Sequence, residues 1–263
     1  PPLATGLPPG TRLGPYEVVA PLSAGGMATL YLGRRAGPAG FSRYVAIKVV
    51  RQHMARDPGF VSMFLDEARL AARIQHPNVV HTEELGEERG THYIAMEYLR
   101  GCSLGQFLQK LAADRRGLAP ELAAHIAMKV ADGLHAAHEL KGDDGQSLGV
   151  VHRDVSPQNV FLTYDGQGKL LDFGGAKVRG RDRGTLMGSL KGKIRYMSPE
   201  QAASQLVDRR TDVYALGIVL WESLTHQRLF SSGDDVEALE RVKNPHIASP
   251  SALAPAIGPG LDE

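Results

Sequence analysis

Hydrophobic and polar residues alternate over most of the first hundred positions. Tyr16 to Leu22, Thr29 to Gly33 and Tyr44 to Val50 carry apolar or β-branched residues at every second place, which predicts strands. Val79 to Gly86 and Thr91 to Tyr98, around the turn Glu87 to Gly90, predict two more. Between the third and fourth, Pro58 to Ile74 places Phe60, Phe64, Ala68, Ala71 and Ala72 at helical spacing. These residues predict a small antiparallel sheet of five strands with one helix. Residues 1–15, rich in Pro and Gly, read as a loose tail.

Beyond Glu97 to Gly101, a connector, the period changes to that of helices. Ser103 to Ala113 and Pro120 to Leu140 predict two, the second with Ala-rich faces suited to burial. Lys141 to Gly149 is a polar Gly/Asp loop expected on the surface. Thr211 to Thr225 predicts a buried helix with Asp212 placed to cap its first N–H groups, and Asp234 to Val242 predicts another. Residues 244–263, with Pro245, Pro250, Pro255 and Pro259, read as irregular chain.

Composition narrows the class without choosing a function. The 263 residues suffice for one large domain or two lobes. Lys plus Arg is 30 against Asp plus Glu 29, a formal charge of +1, which removes any global argument for nucleic acid or an anionic membrane as partner. Cys102 is the only cysteine, so disulfides within the chain are excluded, in keeping with a reducing, cytoplasmic setting. No apolar run reaches the roughly 18 residues that span a bilayer. The chain opens on Pro1 without an initiator methionine, which reads as a trimmed piece of a longer protein; an anchor beyond this stretch would not be visible in it.

The candidate chemistry lies in Val151-His152-Arg153-Asp154-Val155-Ser156-Pro157-Gln158-Asn159 and in Leu171-Asp172-Phe173-Gly174. Pro157 between Asp154 and Asn159 disfavours a helix, so a turn can aim both side chains into one space. Asp172 follows a short apolar run and precedes Gly174-Gly175, where the backbone bends freely. Magnesium takes oxygen ligands from one or two carboxylates and from substrate phosphates. Asp172 and Asn159 suit that task, which leaves Asp154 as a base, and the set points to phosphoryl transfer. Lys48 stands inside the β-branched run Tyr44 to Val50, where it either snorkels from an edge or pairs with an acid and a phosphate, and Glu67 is the acid for that pairing. Ser23 to Ala28 is a glycine turn able to lay N–H groups over phosphate, although most such turns are plain hairpins. Taken alone, each of these motifs reads as an ordinary turn or a solvated loop.

In their order, the glycine turn, strand lysine, helix glutamate, His-Arg-Asp with its downstream Asn, Asp-Phe-Gly and Ser198-Pro199-Glu200 resemble the protein-kinase signature set over roughly Tyr16 to Val242. Gly-Gly-Met-Ala, Asp-Phe-Gly-Gly-Ala-Lys and Tyr-Met-Ser-Pro-Glu-Gln look most like bacterial Ser/Thr kinases of eukaryotic type. The resemblance implies an α+β, two-lobed fold, with a sheet lobe over residues 16–98 and a mainly helical lobe over 99–243. ATP and magnesium would be the cofactors, and protein hydroxyls, the chain's own included, the acceptors. Lys48, positioned by Glu67, would meet the α- and β-phosphates under the turn at Gly25 and Gly26. Asn159 and Asp172 would hold magnesium, and Asp154 would take or orient the hydroxyl proton. Backbone groups at Glu97 and Leu99 would bond adenine, Met96 would guard the pocket, and Leu22, Leu30, Ala46 and Phe161 would enclose the ring. Asp212 would brace the catalytic loop.

The chain departs from that pattern at several places. Ser23 and Ala28 replace the first and third glycines of the turn, which implies weaker clamping of ATP if either needs φ > 0. Ser156 stands where Ser/Thr kinases carry a lysine, and Lys193 stands where they carry a threonine, so Lys193 would supply the displaced charge. Thr185 and Ser189 are the candidate phosphosites in a segment dense in Lys and Arg, with Arg153 as reader of the phosphate. Nothing after Arg241 offers the arginine that usually pairs with Glu200, so an unpaired carboxylate and a C-terminally truncated lobe are expected. Two other readings remain: a pseudokinase serving as nucleotide-binding or scaffold module, and a small-molecule phosphotransferase.

Overall fold

A computed structural model describes residues 6–173, 194–231, 234–254, 257–258, 260 and 262. The chain forms two compact units, one of residues Pro1–Gln75 and Val80–Arg100, the other of His76–Val79 and Gly101–Glu263.

The first unit is an antiparallel sheet of β1 (Arg12–Leu13), β2 (Tyr16–Ala24), β3 (Ala28–Ala36), β4 (Ser42–Val50), β5 (Thr82–Glu88) and β6 (Thr91–Glu97), in the order β1-β2-β3-β4-β6-β5. Six strands therefore replace the expected five, and the tail expected through residue 15 is ordered in its second half. Leu13 explains this: it is 2% exposed and joins Tyr16, Val18, Tyr31, Val45, Ile47, Val49, Tyr93 and Ala95 in one core cluster. Leu7 packs beside that cluster and donates its N–H to Tyr31 Oη at 2.8 Å.

The period-two alternation of β4 decides where its lysine lies. Val45, Ile47 and Val49 fill the first cluster, while Val50, on the opposite face, joins Phe60, Phe64, Ala68 and Ile94 in a second cluster with α1 (Pro58–Ala72). Lys48 shares the face of Val50 and so points toward α1. Asp57 starts this helix by accepting Gly59 N–H at 2.9 Å and Phe60 N–H at 3.3 Å, with Pro58 as the first residue.

The second unit holds a three-stranded sheet of β7 (Gly101–Ser103), β8 (Val160–Thr163) and β9 (Gly168–Leu170), with helices α2 (Leu104–Ala113), α3 (Pro120–His138), α4 (Pro199–Ala202), α5 (Arg210–Thr225), α6 (Asp235–Lys243) and α7 (Pro250–Leu253). A Cβ on Gly101 would lie 2.0 Å from Leu162 O, so only glycine lets β7 approach β8. Ser103 and Gln106 form a capping box at the start of α2. The strand expected from Val79 begins only at Thr82, because Asn78 is engaged elsewhere: its Nδ2 donates to Gly168 O at 2.7 Å and its carbonyl accepts Leu170 N–H at 2.8 Å. The segment expected to be irregular after residue 244 contains α7 and is tied to α5 by Trp221 Nε1, which donates to Ala248 O at 2.8 Å. Among the described residues no helix is long and apolar enough to cross a membrane.

Candidate active site

The stretch Val151 to Asn159 folds as a loop between α3 and β8 whose backbone is held from one buried carboxylate. Asp212, 0% exposed near the start of α5, accepts His152 N–H on Oδ2 and Arg153 N–H on Oδ1, both at 2.8 Å, and His138 Nε2 lies 2.7 Å from Oδ2. The expectation that Asp212 caps its own helix is thus corrected. Asp208 Oδ1 takes the Arg210 N–H at 2.9 Å instead, which leaves Asp212 for the loop.

Within the loop, Asn159 turns its amide nitrogen to Asp154, donating to the carbonyl at 2.8 Å and to Oδ2 at 2.9 Å. With the nitrogen so engaged, the carboxamide oxygen is the atom left able to accept a donor or meet a cation. His152 has its tautomer set by its partners. Nε2 faces Leu171 O at 3.0 Å, and a carbonyl only accepts, so Nδ1 takes the Asp154 N–H at 3.2 Å. The His152 ring also lies 4.6 Å from the ring of Phe173, and Leu171 N–H donates to Asn159 O at 2.8 Å. These contacts join the His-Arg-Asp loop to the start of Asp-Phe-Gly. Arg153 (φ 65) and Asp172 (φ 53) both adopt left-handed backbone, at a cost of about 1–3 kcal/mol each that the surrounding bonds must hold in place. Among the described residues no cluster of three or more His, Cys, Asp or Glu could hold a metal by itself. Asn159 and Asp172 nevertheless offer hard oxygen atoms that fit magnesium shared with phosphate.

In the first unit, Lys48 Nζ donates to Glu67 Oε1 at 3.0 Å, with side chains 21% and 11% exposed, so the pair is shielded enough for the partnership to orient the lysine. The glycine turn closes with Gly25 N–H on Ala28 O at 2.9 Å. Ser23, Gly25, Gly26 and Ala28 all lie outside the positive-φ residues, so serine and alanine fit without strain and the backbone reason for weaker ATP clamping is removed. Across the sheet, Leu30 pairs with Lys48 and Ala46 with Met96. Glu97 donates its N–H to His81 O at 3.0 Å, and its side chain accepts His81 N–H at 2.8 Å. Leu22 is 43% exposed on β2, Leu99 is half-buried after β6, and Phe161 lies on β8 opposite Ser103 in the second unit.

Glu200 is not the orphan expected from the missing arginine. Thr211 Oγ1 donates to its Oε1 at 2.8 Å. Partial burial pushes the carboxyl up, but its own backbone N–H and the Thr211 and Ser198 hydroxyls outweigh that and hold it below the usual range. Sequence reasoning missed His138 and also Gln201, whose Nε2 donates to Arg153 O at 3.0 Å. A histidine on the apolar face of the α3 pattern was the available signal for the first; nothing local marks Gln201. Lys193, Thr185 and Ser189 lie outside the described residues.

Comparison with known proteins decides the family. Residues 16–253 match the protein kinase domain. The chain belongs to the protein kinase family. It is 46% identical over 250 residues to the tyrosine-protein kinase MasK of Myxococcus xanthus, covering 95% of this chain and 38% of that one. It is 34% identical over 250 residues to the serine/threonine-protein kinase PrkC of Bacillus subtilis, covering 95% and 36%. The chain thus spans little more than a third of these relatives' length. Among solved structures, the PknI kinase domain of Mycobacterium tuberculosis superposes with a TM-score of 0.67 at 28% identity, over 96% of this chain and 86% of that one. A bacterial kinase catalytic domain of eukaryotic type, with an antiparallel sheet lobe and a helical lobe, is therefore established.

Proposed function

We propose that the chain is a Ser/Thr protein kinase catalytic domain that transfers the γ-phosphoryl group of Mg-ATP to protein hydroxyls, its own activation segment among them. The observation that carries this reading is the bond from Asn159 Nδ2 to Asp154 Oδ2 at 2.9 Å. It sets a base beside a ligand oxygen, which is the pairing that phosphoryl transfer to a hydroxyl requires.

In this reading Asp154 orients the acceptor hydroxyl and takes its proton, while Asn159 and Asp172 hold magnesium. Magnesium, when bound, offsets the negative charge of the β- and γ-phosphates. Lys48, oriented by Glu67, draws the α- and β-phosphates into line. Gly25 and Gly26 cover the phosphates, and Leu22, Leu30, Ala46, Met96, Glu97, Leu99 and Phe161 receive the nucleoside. Ser156, 7% exposed, is too short to reach a γ-phosphate, and Lys193 supplies that cation. Lys193→Ala with unchanged turnover at saturating Mg-ATP removes this last assignment.

The similarity to MasK, named a tyrosine kinase, supports a second reading in which the acceptor is a tyrosine hydroxyl. One experiment separates the two, and both from a pseudokinase. The chain is incubated with labelled Mg-ATP and a generic protein substrate, with Asp154→Asn as blank, and the phosphorylated residues are identified by mass spectrometry. Phosphoserine and phosphothreonine that vanish in the blank, including at Thr185 or Ser189, are expected. Phosphotyrosine alone favours the second reading, and no transfer by folded, ATP-binding protein means a pseudokinase.

A further inference from the structure

Glu222, on α5, carries a second buried carboxylate that no sequence motif singles out; the residue is 4% exposed. Its Oε2 accepts the Tyr196 O–H at 2.8 Å and Arg228 Nη1–H at 2.9 Å, and its Oε1 accepts Leu229 N–H at 3.2 Å. Arg228 Nη1 also contacts Tyr196 Oη, so guanidinium, phenol and carboxylate form a closed triangle. Burial first, then the Glu222 charge, pushes the Tyr196 phenol far above its ordinary range, with Arg228 pulling the other way. The phenol therefore remains a hydrogen donor at any working pH. A carboxylate taken out of water needs such a cation, because one left without its partner is strongly destabilised.

Tyr196 closes the turn Ile194–Tyr196, which leads through the fully buried Ser198 into α4. From α4, Gln201 Nε2 reaches Arg153 O at 3.0 Å, and Arg153 is the residue before Asp154. The same helix α5 carries both carboxylates, ten residues and roughly 15 Å apart along its axis. Asp212 holds the N–H side of the catalytic loop, and Glu222 holds the segment that touches the carbonyl side.

We propose that Arg228 is a positioning residue for phosphoryl transfer: by pairing with Glu222 it fixes Tyr196, and through α4 and Gln201 it sets the backbone that presents Asp154. This inference rests on the kinase reading above. A purely stabilising ion pair would lower the melting temperature and leave turnover per folded molecule alone.

The test compares Arg228→Gln, Arg228→Lys and Tyr196→Phe by kinetics on a protein substrate and by hydrogen exchange. Turnover of folded Arg228→Gln and Tyr196→Phe is expected to fall roughly ten- to a hundredfold, the loss that a misplacement near 1 Å produces. The KM for ATP is expected to stay within about twofold, and Arg228→Lys to retain more turnover than Arg228→Gln. Amides of residues 194–202 and 151–154 should lose protection while α3 keeps its own. Tyr196→Phe removes one oxygen and carries the test if Arg228→Gln does not fold. Wild-type turnover in Tyr196→Phe, or protection lost only around residue 228, overturns the proposal. If the wild-type chain transfers no phosphate, the kinase reading fails, and the exchange pattern alone still decides whether Arg228 positions the loop.

Discussion

Asp212 Oδ1 accepts the N–H of Arg153 at 2.8 Å, and Arg153 holds its backbone at φ 65. An arginine enters that left-handed region only against steric cost, and a buried charged acceptor offers a bond strong enough to keep it there. The bond places the next residue, Asp154, and the carbonyl of Arg153 meets Gln201 from the other side. The orientation of Asp154 is therefore fixed from α5 and α4.

Asp212→Asn should test this directly. The carboxamide has one accepting oxygen, whereas the carboxylate receives His152 N–H, Arg153 N–H and His138. One donor must then face an N–H₂ group. Stability in urea should fall by about 2–3 kcal/mol, and turnover by more than about tenfold, since a buried donor loses its acceptor and the loop relaxes. Unchanged turnover at unchanged stability would show that the loop keeps its strained backbone unaided.

Lys48→Met and Glu67→Gln address the first unit. The methionine keeps the stem that packs along β4 and removes the charge, so the protein should fold while transfer falls by roughly two to three powers of ten, the loss typical of one preorganised cation or donor. Glu67→Gln retains an oxygen at the 3.0 Å contact with Lys48. A smaller effect, concentrated in the KM for ATP, is expected from steady-state kinetics.

The elements that the sequence made legible are those with strong periodicity. The alternation of β4 and the 3.6-residue spacing of α1 gave the strand and the helix, because both patterns report which face is buried, but the choice of Glu67 as partner of Lys48 came from the resemblance to protein kinases. Asp154 and Asn159 were legible through Pro157, which disfavours a helix between them. Other features depended on partners distant in the chain. Leu13 becomes a strand residue only because a cluster drawn from β2, β3, β4 and β6 receives it. Local pattern alone makes Asp212 a helix cap, and only the family resemblance set it under the catalytic loop, where residues some sixty positions earlier supply N–H groups; Glu200 looks unpaired until Thr211 turns toward it.

Ser23→Gly and Ala28→Gly measure the glycine turn. Neither residue has positive φ, so glycine relieves no strain there and instead adds freedom to the unbound turn. The KM for ATP should rise or stay within about twofold, in line with an entropy effect near 0.4–1 kcal/mol. A marked fall in KM would mean that the turn needs a backbone conformation that serine and alanine resist.

Thr211→Val probes the carboxylate of Glu200 through pH. The Thr211 hydroxyl helps to hold that carboxyl below its ordinary value. A group depressed in the folded state adds stability that is complete above its unfolded pKa and is lost as the pH falls through its folded pKa. Valine removes the hydroxyl, brings the folded value closer to the unfolded one and so deletes part of that contribution. The wild type should exceed the variant by about 1 kcal/mol at pH 7, the ordinary worth of one hydrogen bond to a partly buried group. The gap should narrow as the pH falls through and below the ordinary carboxylate range, where both carboxyls take up protons. Denaturant titrations at pH 7, 5 and 3.5 check the sign. A gap that is constant across this range would assign the loss to the methyl group set among polar partners and to the bond with Ser198, and would leave Glu200 without a share in it.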